Sequence, residues 1–285
     1  MQYVFFGSSS FAAAILNYLI SNGYTPAAVI TNPDRPVGRK QIITPPPVKA
    51  LIMEHETWNT NIKTLQPEKL DESVLVQIRE LKPDFGILAD YGKIIPPALL
   101  KLSRLGIIGV HVSLLPKYRG ASPMQTAILN GEPETGVTLY LMDEKIDTGP
   151  ILAQEKIKLV GQNFLELRDE AAAVSCALLK ETLPEFTLGR LTLQPQKHEQ
   201  ATYTKKFITQ DAFVDAEDLV LAENGENKTA AETIECKIRA LNPEPGVWTM
   251  KDGKRMKLLK AAVQNGRLVL EVIQVEGEKT KQPTS

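Results

Sequence analysis

The chain predicts an α/β fold: a mostly parallel sheet with helices on both faces, followed by a smaller β-rich domain. Three observations carry this expectation. Over the first ~150 residues short apolar runs alternate with helical patterns, the order that yields parallel strands covered on both faces. After Gly189 the apolar pattern thins into a polar stretch at 194–200, which reads as a linker. Beyond it the turn signals Lys251-Asp252-Gly253 and Asn265-Gly266 separate short apolar runs, as β-hairpins require. The expected division is a first domain at 1–189, a linker at 190–206 and a second domain at 207–285.

The elements follow in order. Strand 3–6 leads into helix 11–20, strand 27–31 and helix 48–54; helix 73–81 then precedes strand 85–89. Strands at 107–111, 136–142 and 151–156 complete the sheet, and Phe164, Leu167, Ala171, Val174 and Leu178 give a helix with one long apolar face. In the second domain a helix at 229–241 ends in Asn242-Pro243-Glu244-Pro245-Gly246, and strands are expected at 247–250, 256–261 and 267–272. A helix with a few hairpins suggests a compact β-rich module, a small barrel.

Composition bounds the function. The 285 residues suffice for two domains, and 33 Lys and Arg against 34 Asp and Glu leave a net charge of -1, so contact with a polyanion must be local. Such a locality exists: 207–236 carries Lys228 against eight carboxylates, whereas 237–260 carries seven Lys and Arg against Glu244 and Asp252. A cationic stretch of this kind suits a phosphate backbone, a solvated face being the plainer reading. Cys176 and Cys236 have no metal-ligand spacing, which argues against a disulfide framework or a zinc site and for a cytoplasmic home. The N-terminus lacks a basic region and a long apolar span, so it reads as a strand and not as a leader or anchor. Gly7 is the only glycine of the first strand-to-helix turn, Gly7-Ser8-Ser9-Ser10; without the three-glycine fingerprint a nicotinamide cofactor is not expected.

Chemistry concentrates in Gly109-Val110-His111-Val112-Ser113-Leu114-Leu115-Pro116-Lys117-Tyr118-Arg119-Gly120 and in Asp147-Thr148-Gly149. Of the three histidines, His55 lies at a polar helix end and His198 in the expected linker; only His111 ends an apolar strand, where active sites of α/β sheets collect. A buried histidine is more often a satisfied core group than a catalyst, but the Ser113 to Pro116 loop offers main-chain polar groups beside apolar side chains, as a pocket for a flat polar heterocycle needs. Asp147 opens a tight turn, where its plain role is an Asx-turn. A histidine and a carboxylate at neighbouring strand ends would form an acid/base pair able to meet a developing oxyanion or pass a proton.

With these residues the chain resembles the 10-formyltetrahydrofolate-dependent formyltransferases, in particular the branch acting on methionyl-tRNA. The resemblance is carried by Phe5-Phe6-Gly7 with Phe11-Ala12, by Thr31-Asn32-Pro33-Asp34-Arg35-Pro36-Val37-Gly38-Arg39, and by Leu65-Gln66-Pro67-Glu68-Lys69-Leu70. Tyr91-Gly92-Lys93-Ile94-Ile95-Pro96, the segment from His111 to Gly120, Met142-Asp143 with Asp147-Thr148-Gly149, and Ile238-Arg239-Ala240-Leu241-Asn242-Pro243 extend it over nearly the whole chain. It implies a Rossmann-like catalytic domain joined to a barrel-like (OB-like) domain that helps hold initiator tRNA, with no metal and a monomeric state. It implies transfer of the formyl group of 10-formyltetrahydrofolate to the α-amine of methionyl-tRNA, in translation initiation. His111 matches the family histidine and Asp147 the family aspartate; Ser113, Leu114, Leu115 and Pro116, with Ile94 and Ile95, are implied at the folate. The proline-stiffened loop from Asn32 to Pro47, with five prolines, is of the long kind that is usually functional, and Arg39 and Lys40, with Arg35, are implied at the tRNA. Arg119 is expected to be structural.

Two departures stand out. Gly109 occupies the position where the family places an asparagine that donates to the formyl oxygen, and losing one such donor typically costs about 10²–10³ in rate. Either water or a backbone N–H substitutes, or the enzyme is impaired or altered; on this view Gly109→Asn should raise kcat. The chain also runs out at 276–285, earlier than a full family barrel. The rival readings are a formyltransferase acting on a sugar-nucleotide amine and a catalytically silent RNA-binding homologue.

Overall fold

The structure, a computed structural model, describes residues 2–38 and 40–283. In chain order the first elements are β1 (Tyr3–Gly7), α1 (Ser10–Ser21), β2 (Ala28–Ile30), β3 (Arg35–Val37), β4 (Ile42–Thr44), α2 (Pro47–Glu54), α3 (Glu56–Asn61), β5 (Lys63–Leu65), α4 (Glu72–Glu80) and β6 (Phe85–Ala89). Then come α5 (Pro97–Leu100), β7 (Ile107–His111), β8 (Arg119–Gly120), α6 (Pro123–Leu129), β9 (Glu134–Leu141), β10 (Ile151–Lys158), α7 (Phe164–Thr187) and β11 (Tyr203–Thr204). The chain ends with α8 (Ala216–Asn224), α9 (Lys228–Leu241), β12 (Trp248–Lys251), β13 (Lys254–Gln264) and β14 (Arg267–Val275).

Two compact units divide the chain: Met1–Arg119, Gly136–Ile157 and Asp169–Thr202 make the first, and Gly120–Thr135, Lys158–Arg168 and Tyr203–Ser285 the second. The first is built on a seven-stranded sheet ordered β10-β9-β7-β6-β1-β2-β5. Five strands, β5 to β7 in that order, run parallel, and β9 joins antiparallel to β7, so the mostly parallel sheet expected from the alternation is present. β1 and β7 are buried at every residue, because helices cover both faces of such a sheet and leave no solvent side for polar alternation. The order reverses at β1, which has β2 on one side and β6 on the other, and ligand crevices open at the carboxyl ends of strands there. Gly7 ends β1 with no room for a side chain: a Cβ would stand 2.7 Å from Ala12 Cβ and 2.9 Å from Ala89 O. Ser9 caps α1 by accepting from Ala12 N, and Asp71 caps α4 through Ser73 N and Val74 N.

Val4, Phe6, Ala28, Ile30, Ile78 and Ile107 are among the buried residues that fuse strands and helices into one core. α7 is longer than its expected apolar face, carrying Pro184 inside it, and its Phe186 ring meets Phe85 edge-on at 5.8 Å. The edge strand β5, the ribbon β3–β4 and helices α3, α5, α6 and α8 have no counterpart in the periodicity reading; each is short or lies in a proline-rich loop. The stretch expected as a linker is tied down as far as Thr202: Gln194 bridges to Ile151, and Thr202 Oγ1 accepts from Tyr118 N at 2.8 Å.

In the second unit β12, β13 and β14 form an antiparallel meander. Both hairpins turn through two residues with positive φ, Asp252 (50°) with Gly253 (74°) and Asn265 (52°) with Gly266 (78°), the conformation for which Asp-Gly and Asn-Gly are selected. α9 packs against β13 and β14, and α8 against α9. Asn227 caps α9 by accepting from Ala230 N, and Asn242 staples its far end, donating to Leu258 O and accepting from Val247 N. Among the described residues the three strands make an open antiparallel sheet and not a closed barrel. No described helix is long and apolar enough to cross a membrane.

Candidate active site

β7 delivers His111 to the carboxyl edge of the sheet, its side chain only 8% exposed. Nε2 lies 2.8 Å from Tyr118 O. A carbonyl only accepts, so Nε2 carries the proton of that bond. Nδ1 is thereby turned toward Asp147, whose Oδ2 stands 3.6 Å away, longer than a hydrogen bond. The two groups face each other across a gap.

Asp147 is held from three sides. Its backbone is left-handed, with φ of 52°, a conformation Asp tolerates better than most residues. Oδ1 accepts from the Tyr140 hydroxyl at 2.6 Å. Its carbonyl, and that of Gly149, accept from Gln196 Nε2 at 3.0 and 2.7 Å. Gln196 Oε1 in turn accepts from Arg119 Nη2 at 2.6 Å, and Arg119 Nη2 also donates to His198 Nδ1 at 2.9 Å. Arg119 is 2% exposed; it is structural, as expected, and what it supports is the Asp147 turn. Gly149 is obligatory there, because a Cβ would overlap Leu141 O.

The loop after His111 is locked by hydroxyls. Thr138, opposite His111 in the β7–β9 register, donates to Ser113 O at 2.6 Å and accepts from Leu115 N at 3.1 Å. Ser113 Oγ donates to Lys117 O at 2.6 Å, and Gln154 Nε2 donates to Leu115 O at 2.8 Å. Leu115 packs with Tyr140 and Ile151 in a small cluster of its own, so its side chain is a core group. Ile95 is likewise in the main core, whereas Ile94 is 85% exposed. The expected folate residues thus divide into a rigid scaffold of Ser113 and Leu115 with Ile95, and the accessible Leu114, Pro116 and Ile94.

Gly109 is correctly placed two residues before His111, on the same sheet face, but the space above it is taken. A Cβ there would stand 2.5 Å from Tyr140 Cζ and 2.8 Å from its hydroxyl oxygen. The expectation that Gly109→Asn raises kcat is therefore corrected: the carboxamide has no room beside Tyr140.

Elsewhere in the first unit Arg35 pairs with Glu68 on an exposed surface, and Lys40 is exposed in the turn between β3 and β4; Arg39 lies outside the described residues. The loop is anchored by Asp34, which accepts from Lys49 at 2.7 Å and from Gln66 at 2.7 Å. These bonds, Gln66 first, hold its carboxyl below the usual range. In the second unit the cationic stretch is not one surface. Lys237 donates to Phe213 O, and Arg239 pairs with Glu235 while donating to Gln162 O, so both helix cations serve the fold. Lys251, Lys254 and Lys257 on β12 and β13 are exposed. Arg255 lies 4.2 Å from the centre of the Trp248 ring.

Sequence reasoning missed Tyr140, Gln196, Thr138 and Gln154. A tyrosine in an apolar strand next to a side-chain-free Gly109 strand was a usable signal, since aromatic residues cover glycines across strands. The others carried none, lying 49 residues from Asp147 in the case of Gln196.

Comparison with known proteins bears on the family and the fold. The formyl transferase family matches residues 1–170, and its C-terminal domain matches 228–281. The chain is 39% identical over 260 residues to a methionyl-tRNA formyltransferase of Halalkalibacterium halodurans, covering 90% of this chain and 77% of that one. It is 40% identical over 265 residues to that of Chloroflexus aggregans, covering 92% and 81%. Among solved structures, a methionyl-tRNA formyltransferase from Clostridium thermocellum superposes with a TM-score of 0.64 at 17% identity, over 96% of this chain and 98% of that one. An N-formyltransferase from Helicobacter canadensis, in complex with folinic acid and dTDP-3-aminofucose, shares the fold at a TM-score of 0.64 and 21% identity, over 93% and 88%. With the sheet, the His111–Asp147 pair and a match across more than half of its length, this chain belongs to the formyl transferase family.

Proposed function

We propose that the chain transfers the formyl group of 10-formyltetrahydrofolate to the α-amine of methionyl-tRNA. The observation that carries this is the His111–Asp147 pair, 3.6 Å apart at the carboxyl edge of the sheet and braced by Tyr140, Gln196 and Arg119. The donor set fits an amide-like formyl group, a carbonyl carbon open to an amine, because the pair offers one proton-carrying nitrogen and one counter-charge side by side. The folate supplies the formyl carbon.

His111 and Asp147 handle the rest. Nε2–H is committed to Tyr118 O, so the proton that the attacking amine loses is held at Nδ1. The ring becomes cationic at that moment, with Asp147 Oδ2 as its counter-charge and the formyl oxygen as the charge it faces. The same proton returns to the departing nitrogen as the carbon–nitrogen bond to the folate breaks, which restores His111. Leu114, Pro116 and Ile94 would line the folate, and Lys40, Arg35 and Arg39 the tRNA. The exposed Lys251, Lys254 and Lys257 would add phosphate contacts in the second unit.

The test is an assay of formyl transfer to methionyl-tRNA, with a UDP-amino sugar as competing acceptor. Transfer to the tRNA that the sugar does not inhibit is the expected result; transfer to the sugar alone would overturn the reading.

A further inference from the structure

The residue two positions before His111 carries no side chain, and the structure shows what fills its place. Gly109 and Tyr140 are direct partners in the antiparallel β7–β9 register, and such partners project to the same sheet face, the face that also bears His111. The phenol ring lies across Gly109. Leu115 and Ile151 hold the ring from within their small cluster, and Tyr140 is 3% exposed. Its hydroxyl donates to Asp147 Oδ1 at 2.6 Å, while the other carboxylate oxygen faces His111 Nδ1. Burial first, and then the charge of Asp147, keep Tyr140 ionising well above the ordinary tyrosine range, so the hydroxyl remains a donor at any working pH.

We propose that Tyr140 is a positioning residue for formyl transfer, acting through Asp147 from the space that a side chain at position 109 would occupy, with Gly109 as the condition for its presence. The proposal rests on the formyl-transfer reading above. A carboxylate gripped at Oδ1 by a short O–H···O bond cannot rotate freely, so Oδ2 stays turned toward His111. A side chain at 109 and a phenol at 140 are thus alternative occupants of one volume. Gly109→Asn alone forces the ring out and loosens Asp147; the same change beside a shortened residue 140 meets open space.

Three variants test this with steady-state kinetics and thermal melting. Tyr140→Phe keeps the ring and removes only the hydroxyl; kcat is expected to fall at least tenfold, with KM for folate and for tRNA within twofold and melting within a few degrees of wild type. Gly109→Asn should lose both activity and melting temperature, and adding Tyr140→Leu to it should restore melting temperature relative to Gly109→Asn alone, because the clash with the ring is removed. A Tyr140→Phe enzyme within twofold of wild-type kcat would overturn the positioning role. A Gly109→Asn protein that melts like wild type would overturn the shared volume. Should Tyr140→Phe not fold, Tyr140→Leu takes its place: a tenfold loss of kcat is expected there too, and a kcat within twofold of wild type would overturn the positioning role. If the wild type formylates neither methionyl-tRNA nor an amino sugar, the functional reading fails and the proposal is read by NMR of the imidazole nitrogens. Tyr140→Phe should then move His111 while His55 and His198 stay fixed, and an unmoved His111 would refute it.

Discussion

Gln196→Glu separates the brace of the Asp147 turn from the bulk of the fold. The side chain is 6% exposed, and its orientation is dictated by its partners: Arg119 can only donate, so Oε1 faces it, and two carbonyls can only accept, so Nε2 faces them. Glutamate keeps the shape and the Arg119 bonds but replaces the donor to Asp147 O and Gly149 O, at 3.0 and 2.7 Å, with a second acceptor. Two buried carbonyls then face a carboxylate oxygen, a loss of about 2–4 kcal/mol, offset by about 1–2 from the charge-assisted Arg119 bonds. The net, taken at the middle of both ranges, is about 1.5 kcal/mol. Released from Gln196, Asp147 can relax from its φ of 52°, and a shift of that kind should lower kcat by about 10–100-fold. The two tryptophans, Trp58 and Trp248, fall one in each compact unit, so a Trp248→Phe background makes Trp58 fluorescence report the first unit alone. In urea its midpoint should drop by about 0.5–1 M, taking a slope of about 2–3 kcal/mol per molar. A midpoint unmoved within error, with kcat inside twofold of the parent, would refute the brace.

Further outcomes are expected. Asp147→Asn keeps a residue that tolerates the left-handed backbone and can still accept from Tyr140; kcat should fall at least a hundredfold with melting within a few degrees, and full activity across pH would contradict the counter-charge role. His111→Ala should abolish transfer while circular dichroism stays native. Replacing exposed Lys254 and Lys257 by Ala should reduce the slope of log binding constant against log salt for tRNA by about 0.9 for each phosphate that is no longer neutralised, as measured by filter binding. Tyr91 is 1% exposed, its hydroxyl has no partner among the described residues, and burial pushes its pKa from 10.0 up to about 12. A raised phenol pKa stabilises the fold fully below pH 10 and loses that share as pH climbs through 12. Tyr91→Phe should therefore leave stability at pH 7 unchanged or higher and soften the alkaline loss, as read by urea melts at both pH values.

What the sequence revealed and what it hid differ by range of interaction. β6 and β7 were legible to the residue because both are short apolar runs bounded by turns, and the two hairpins of the second unit because Asp-Gly and Asn-Gly demand positive φ locally. His111 stood out for the same reason, as a polar residue at the end of an apolar strand. Gln196 was illegible: polar neighbours made 194–200 look like a linker, and nothing local says that its amide closes on carbonyls 47 and 49 residues earlier. The cations of 237–260 misled in the opposite sense, since counting charge does not reveal that Lys237 and Arg239 are already committed to Phe213 O and to Glu235.

Gly109 shows why register matters more than identity at such a site. Read along β7, a missing side chain two residues before His111 is a loss; read across the sheet, it is an opening into which Tyr140 fits. One residue of slip between β7 and β9 would turn the phenol to the opposite face and leave Asp147 Oδ1 without that donor. Thr138 would leave the loop in the same step, since it sits two residues from Tyr140 on the same face and holds Ser113 and Leu115. The pairing that places Tyr140 on Gly109 therefore also seats the loop after His111, so the two halves of the site are set by a single strand register and should stand or fall together.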